Sequence, residues 1–243
     1  MAIKNLALIL FAVSLCSCNS NKKEHSQNLG DRYAGIHVVG AMKNVMWKGE
    51  LESSINLDTI SPKKGLYGLG PESYLTGELL ITDGTTYVSK VTSDTTMIVK
   101  EASKASAPFF VYANVTNWQE VDIPEEVTTI RDLETLIDDK TEDFKKPFAF
   151  KVVGSVLDAL IHIQNLPPGT KVSSPEDAHI GQTNYILQDE TVEIIGFFST
   201  EHQGVFTHHD SYLHMHLITA NKTQMGHLDA LTMGEMKLYL PLY

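Results

Sequence analysis

The sequence predicts an α+β fold, of the α/β type, made of two β-rich halves with mixed or antiparallel sheets and few helices. Two observations favour this class. Most of the chain consists of short stretches of β-forming residues separated by turn residues, and one stretch with helical periodicity, near 125–145, lies between the halves. We therefore expect an N-terminal β-rich half at 33–124 and a C-terminal half at 125–243. The hydrophobic fraction of 42% suits a globule with a real core.

The N-terminus has the pattern of an export signal rather than of a folded element. The apolar run 6–13 is too short to cross a bilayer as a mature helix, and it leads into Leu15-Cys16-Ser17-Cys18. This order resembles the bacterial lipobox, so we expect residues 1–18 to be a lipoprotein signal peptide and residues 19–32 to be a polar tether. The alternative is an ordinary secretory signal that is cleaved elsewhere.

Both cysteines, Cys16 and Cys18, lie inside this signal. The rest of the chain therefore offers no disulfide, no thiolate nucleophile and no cysteine ligand, and a transition-metal site there must use His, Asp or Glu. The formal net charge of −11 does not attract nucleic acid, so we expect no nucleic-acid partner. We expect an exported protein of the cell envelope whose membrane contact is a lipid anchor at Cys18.

In the N-terminal half, the stretch from Tyr74 to Tyr87 has the pattern of a β-hairpin. Residues that favour strands flank Asp83-Gly84, a pair that is common in type I′ turns. The apolar stretch 108–112 predicts a buried strand further along the chain.

In the C-terminal half, residues 128–140 place apolar side chains at helical spacing between charged ones, which predicts a helix. Strands are expected at 148–156, 191–198 and 212–219. The segment Asn165-Leu-Pro-Pro-Gly169 interrupts regular structure between them.

The last of these strands carries a pair of histidines, His214 and His216. Alternate side chains of a strand point to the same face, so both imidazoles share one face while Leu213, Met215 and Leu217 share the other. Imidazoles spaced in this way can converge on one divalent metal ion. For the pair alone, the simpler explanation would be surface histidines or a polar groove.

A third histidine, His227, strengthens the case for a metal. If the strand returns through a hairpin centred between Asn221 and Lys222, His216 and His227 stand directly opposite each other. Three protein ligands with one open position are typical of catalytic zinc. We therefore expect a divalent metal site, with zinc favoured, on a C-terminal β-hairpin.

A rival cluster, His202, His208 and His209 with Asp210, is not expected to form a site. His208 and His209 are adjacent, and on a strand they would point in opposite directions. We expect this segment to be a loop.

Together these motifs resemble acetolactate decarboxylases from about Val38 to Pro241. The His-x-His pair followed by Gly-His-x-Asp is the most specific of them, and the Leu-x-Gly-Glu motif alone would be weak. The matching pieces are Gly68-Leu-Gly70, Leu75-Thr-Gly-Glu78, Asp83-Gly84 with Tyr87, Gly154 before Pro167-Pro168, Gly196-Phe-Phe-Ser199, His214-Met-His216 and Gly226-His227-Leu-Asp229.

The resemblance implies a zinc-dependent carbon–carbon lyase that converts acetolactate, 2-hydroxy-2-methyl-3-oxobutanoate, to acetoin and carbon dioxide. It implies zinc held by His214, His216 and His227, a catalytic Glu78 near the metal, a strand-rich fold of two α/β-type domains, and a homodimer. In this chemistry the metal-bound ketone accepts the electrons that carbon dioxide leaves behind, and a general acid then protonates the carbon.

Two departures from the family pattern keep other functions open. Counting from Gly154, the family's substrate-contacting arginine is replaced by His162, which either supplies a donor or proton as a catalytic residue or is a core or surface histidine. We also expect the family's tail glutamate to be absent, because the last residues are Leu240-Pro-Leu-Tyr243. The alternatives are a non-catalytic envelope lipoprotein that binds a metal or ligand, and a lyase or isomerase acting on another chelating keto acid.

Overall fold

The computed structural model describes residues 35–144 and 146–242. The expected lipoprotein signal at 1–18, with Cys18, and the tether at 19–32 lie outside the described residues. The described chain contains three α-helices, α1 (Met42–Lys48), α2 (Ile130–Lys140) and α3 (Pro175–Ala178). Its strands are β1 (His37–Val39), β2 (Ile55–Asn56), β3 (Leu66–Pro71), β4 (Glu78–Thr82), β5 (Thr85–Ser93), β6 (Thr96–Glu101), β7 (Ser106–Ala107), β8 (Phe110–Asn114), β9 (Trp118–Asp122), β10 (Phe148–Ile163), β11 (Thr183–Phe198), β12 (Leu213–Thr219) and β13 (Met225–Pro241).

The strands form two large antiparallel sheets and one short pair, which confirms the β-rich fold with few helices. One sheet has the order β1-β8-β3-β4-β5-β6, and the other has the order β10-β11-β12-β13-β9. In the second sheet β13 also pairs with β10, so β10 to β13 form a closed ring. The expected boundary at residue 124 stays a prediction; β9, which precedes it in the chain, pairs with β13.

The predicted hairpin in the N-terminal half is confirmed. Thr82 and Thr85 are paired across the turn, and Asp83 and Gly84 have φ values of 42° and 83°. Positive φ at both central residues is the type I′ geometry, and it matches the twist of the flanking strands. This turn sets the register of β4, the strand that carries Glu78.

The predicted helix is α2, and its first turn explains where it begins. Thr129 and Asp132 form a capping box: the Thr129 side chain accepts from the Asp132 backbone N–H, and the Asp132 carboxylate accepts from the Thr129 backbone N–H. Leu133, Leu136 and Ile137 form its buried face and pack into the core of the second sheet.

The strands β10 and β11 are longer than the sequence predicts, because their antiparallel pairing continues to Ile163 and Thr183. The extension carries His162 to the end of β10, directly beside His227 of β13. Irregularities in the pairing of β10 with β13, near Val156 and near Leu160, produce this register.

A core shared by the two sheets holds them face to face. It combines Leu69, Leu80 and Val111 of the first sheet with Ile195 and Phe197 of the second. Among the described residues, no helix combines the length and apolar character needed to cross a membrane.

Candidate metal centre

The hairpin of β12 and β13 has the register that the histidine spacing predicts. His216 and His227 are directly opposite each other, and His214 lies two residues before His216 on the same face. All three side chains are buried, with at most 8% of any of them exposed. Because residues two apart on a strand share a face, one hairpin turn is enough to bring the three imidazoles together inside the protein.

The three imidazoles form a set that fits a metal ion. One ligand atom from each lies within 4.8 Å of the other two, and the ring centroids are 5.0–5.5 Å apart. His214 Nδ1 and both ring nitrogens of His216 are buried without a hydrogen-bond partner. A buried polar nitrogen with no partner is costly, and a bound cation would satisfy it.

The electrostatics of these histidines also suit a cation. Burial, the largest cause, lowers the pKa of His214 and His227 well below the usual value and lowers that of His216 to about 3. Neighbouring histidines lower these pKa values further. The rings are thus neutral near pH 7, which is the form that binds a metal.

Glu78 reaches the histidines from the other sheet. Its Oε2 lies 3.6 Å from His216 Nε2, and its Oε1 accepts from the backbone N–H of Gln164 at 3.3 Å. The carboxyl is 2% exposed, and burial raises its pKa to about 7. Because His216 is neutral, this contact is not a conventional ion pair, and the carboxyl is able to hold a proton.

His162 forms a tight pair with Asp229. Its Nδ1 lies 2.7 and 2.9 Å from the two carboxylate oxygens of Asp229, and its ring lies 4.6 Å from that of His227. Its Nε2 is 3.4 Å from the side-chain nitrogen of Gln164. A carboxylate at Nδ1 fixes the orientation of the ring. His162, one of the predicted site residues, is therefore part of the cluster.

These groups surround one small cavity of about 40 Å³. It is lined by Glu78, His162, Gln164, His179, His208, His214 and His227, together with the apolar residues Met42, Met46, Pro71, Leu75 and Phe109. Two larger clefts, of about 650 and 570 Å³, lie elsewhere on the surface and have no histidine in their lining.

The sequence missed two histidines of this cavity. The segment around His208 is a loop, as expected, but the expectation that it lies outside the site is wrong. His208 Nε2 lies 3.3 Å from His227 Nε2. His179, at the C-terminal end of α3, also lines the cavity. Neither stands in a periodic pattern, so no signal in the sequence pointed to them.

A family profile described as alpha-acetolactate decarboxylase matches residues 36–242. The chain belongs to the alpha-acetolactate decarboxylase family. The predicted resemblance is thereby confirmed over nearly all of the described chain. No curated protein matches the sequence.

Solved structures of other proteins have the same fold as this member of the acetolactate decarboxylase family. An alpha-acetolactate decarboxylase from Bacillus subtilis strain 168 is 20% identical, with a TM-score of 0.70 and 86% of each chain covered. One from Bacillus subtilis subspecies spizizenii is 21% identical, with a TM-score of 0.69 and 85% of each chain covered. A Staphylococcus aureus protein of unknown function, described as similar to alpha-acetolactate decarboxylase, is 17% identical, with a TM-score of 0.70 and coverage of 86% and 85%.

Proposed function

We propose that this chain decarboxylates acetolactate to acetoin with a divalent cation, zinc, held by His214, His216 and His227. The observation that carries the proposal is the set of buried, neutral imidazoles with unpartnered nitrogens beside the buried Glu78, in a member of this family. Neutral nitrogen ligands suit zinc and several other divalent ions.

The reaction breaks the bond between the carboxylate and the hydroxyl-bearing carbon. The electron pair that remains moves into the adjacent ketone, and a proton is then added to the hydroxyl-bearing carbon. A divalent cation, when bound, supplies a Lewis acid that stabilises the negative charge developing on the ketone oxygen. The apolar side chains Met42, Met46 and Phe109 keep water from this charge.

We assign Glu78 the delivery of the proton to carbon. Its carboxyl lines the cavity beside His216, and the Gln164 N–H fixes its orientation through Oε1, which leaves Oε2 facing the histidines. A positioned general acid contributes about 10²–10⁴-fold to a rate.

We assign His162 contact with the substrate's polar groups. Asp229 holds its Nδ1, so the ring faces the cavity in a fixed orientation. The pair takes the place of the family's arginine, although a single imidazole nitrogen lacks the bidentate geometry of a guanidinium.

The replacement of the family's arginine by His162 also favours a second candidate, a protein that binds a metal or ligand without catalysing a reaction. The only arginine in the described part of the chain is Arg131 of α2, and it does not line the cavity. A substrate carboxylate therefore meets histidine and glutamine rather than guanidinium.

A paired measurement on the purified full-length chain separates these candidates. The wild type should contain a divalent metal and form acetoin from acetolactate, and His216→Ala should lose both. His37→Ala is the matched control, since His37 is exposed on β1, and it should retain both. Metal without acetoin in the wild type would favour the binding protein, and absence of metal would contradict both.

Three further expectations are part of the proposal. We propose that the chain is exported, that it is anchored through a lipid at Cys18, and that it forms a homodimer. Labelling with a radioactive fatty acid in wild-type and Cys18→Ala cells tests the anchor, and light scattering of the purified protein tests the dimer.

A further inference from the structure

Gln164 brings an unused hydrogen-bond acceptor to the cavity. It directly follows β10 and lies two residues after His162, and both side chains line the cavity because residues two apart on an extended chain share a face. Gln164 is buried, with 4% of the residue exposed, and its Oε1 has no hydrogen-bond partner. A buried carbonyl oxygen without a donor is costly, so it points to a ligand that donates a hydrogen bond.

The nitrogen of the same amide is already engaged. Gln164 Nε2 donates to Gln182 Oε1 at 3.2 Å and lies 3.4 Å from His162 Nε2. The Gln182 side chain in turn donates to Oδ1 of the exposed Asn184 at 3.1 Å. These hydrogen bonds run in one direction, from the cavity to the surface. They hold the Gln164 amide with its nitrogen towards Gln182 and leave its oxygen free.

The other acceptors around the cavity are committed to partners or to the proposed cation. Glu78 Oε1 accepts from the Gln164 backbone N–H, and the unpartnered nitrogen of His214 belongs to the proposed metal ligands. Among the described side chains that line the cavity, Gln164 Oε1 is the only buried oxygen without a partner. A donor that enters the cavity therefore finds its acceptor at Gln164.

The proposed substrate carries one group that can satisfy this oxygen. The carboxylate and the ketone of acetolactate only accept hydrogen bonds, whereas the hydroxyl can donate one. This hydroxyl stands on the carbon that loses carbon dioxide and then receives the proton. A hydrogen bond to the hydroxyl therefore also holds the reacting carbon in place.

We propose that Gln164 is a specificity-determining residue, whose side-chain oxygen accepts a hydrogen bond from the hydroxyl of a 2-hydroxy-3-keto acid. This inference rests on the function proposed above and names the group by which the site selects its substrate. The competing explanation is a structural glutamine, whose amide positions His162 and makes no contact with the substrate.

A substrate without the hydroxyl separates these explanations. It would leave the Gln164 oxygen buried and unpaired, and a site built to bond a substrate hydroxyl rejects such an analogue strongly. In 2,2-dimethyl-3-oxobutanoate a methyl group replaces the hydroxyl, while the ketone and carboxylate remain. The wild-type preference for acetolactate over this analogue contains every contribution of the hydroxyl. The change of that preference in a Gln164 variant isolates the contribution of Gln164.

The test measures kcat/KM for both compounds with the zinc-loaded, full-length chain. Gln164→Met keeps the length of the side chain but removes the amide, and the backbone N–H that holds Glu78 remains. This variant should lower kcat/KM for acetolactate by about 10–100-fold and leave that for the dimethyl analogue nearly unchanged. Gln188→Met is the matched control, because it makes the same substitution at an exposed position of β11, and it should keep both wild-type values.

The outcomes decide between the two explanations. A loss confined to acetolactate supports the proposal, whereas no loss, or an equal loss with both compounds, would overturn it and leave the proposed function intact. Absence of acetoin formation by the wild type would contradict the proposed function instead. In that case, or if Gln164→Met does not fold or the wild type does not turn over the analogue, a crystal structure of the wild type with acetoin decides. An acetoin hydroxyl within about 3.0 Å of Gln164 Oε1 supports the proposal, and a hydroxyl bonded elsewhere overturns it.

Discussion

Replacing Gly226 by alanine is expected to separate β13 from β10 at the proposed metal centre. A Cβ at this position would lie 2.5 Å from the carbonyl oxygen of His162, and distances under 3.0 Å are essentially absent from real Cβ contacts. The neighbour is backbone, which cannot rotate away. The two strands must therefore move apart next to the pair His162–His227.

The size of the effect follows from this clash. Overpacking a well-packed site costs about 1–3 kcal/mol, and for a domain of this length each kcal/mol lowers the Tm by about 2–4 °C. Metal–ligand distances are held to within about 0.2 Å, so a displaced His227 should also weaken cation binding, by at least about 10-fold.

Urea unfolding and cation titration of the variant test this reasoning. Gly35→Ala is the matched control, because its Cβ would lie 3.6 Å from the Asn114 carbonyl oxygen, an ordinary contact. An unfolding free energy within about 0.5 kcal/mol of the wild type, together with unchanged cation affinity, would refute the steric account.

Three other substitutions test separate parts of the site and the fold. Glu78→Gln keeps the shape but removes the carboxyl, so steady-state kinetics should show kcat lower by about 10²–10⁴-fold with the cation still bound; unchanged kcat would remove Glu78 from the reaction. Asp229→Asn should lower kcat/KM by about 10–100-fold, because a hydrogen bond to a charged group contributes about 1.5–3 kcal/mol to holding His162. If the two residues act as a pair, His162→Ala and the double variant should lose the same factor in kcat/KM as each other. Thr129→Ala removes the cap of α2 and should lower the unfolding free energy by about 1 kcal/mol without changing cation affinity, whereas a change in affinity would tie the cap to the site.

Local patterns were sufficient to predict the elements that build the centre. The register of the β12–β13 hairpin follows from two features of the sequence: apolar residues alternate with His214 and His216, and His227 lies eleven residues after His216. Side chains of a strand alternate between its two faces, and a tight turn keeps this alternation in register across the hairpin. In the same way, Asp83-Gly84 fixes the hairpin that carries Glu78.

The remaining parts depend on contacts that local patterns do not encode. The pairing of His162 with Asp229 depends on irregularities in the register between β10 and β13, one of which leaves Asp229 without a pairing partner on β10. The inward turn of His208 depends on loop hydrogen bonds, and a strand-based argument excluded it for that reason. Glu78 meets His216 only because the two sheets pack face to face.

The most direct test of the central claim is a titration of zinc into the metal-free, full-length protein, with bound zinc and acetoin formation from acetolactate measured in the same samples. The proposed centre predicts that the rate rises in proportion to occupancy and saturates at one ion per chain. Full occupancy without acetoin, or acetoin formed by the metal-free protein, would contradict it.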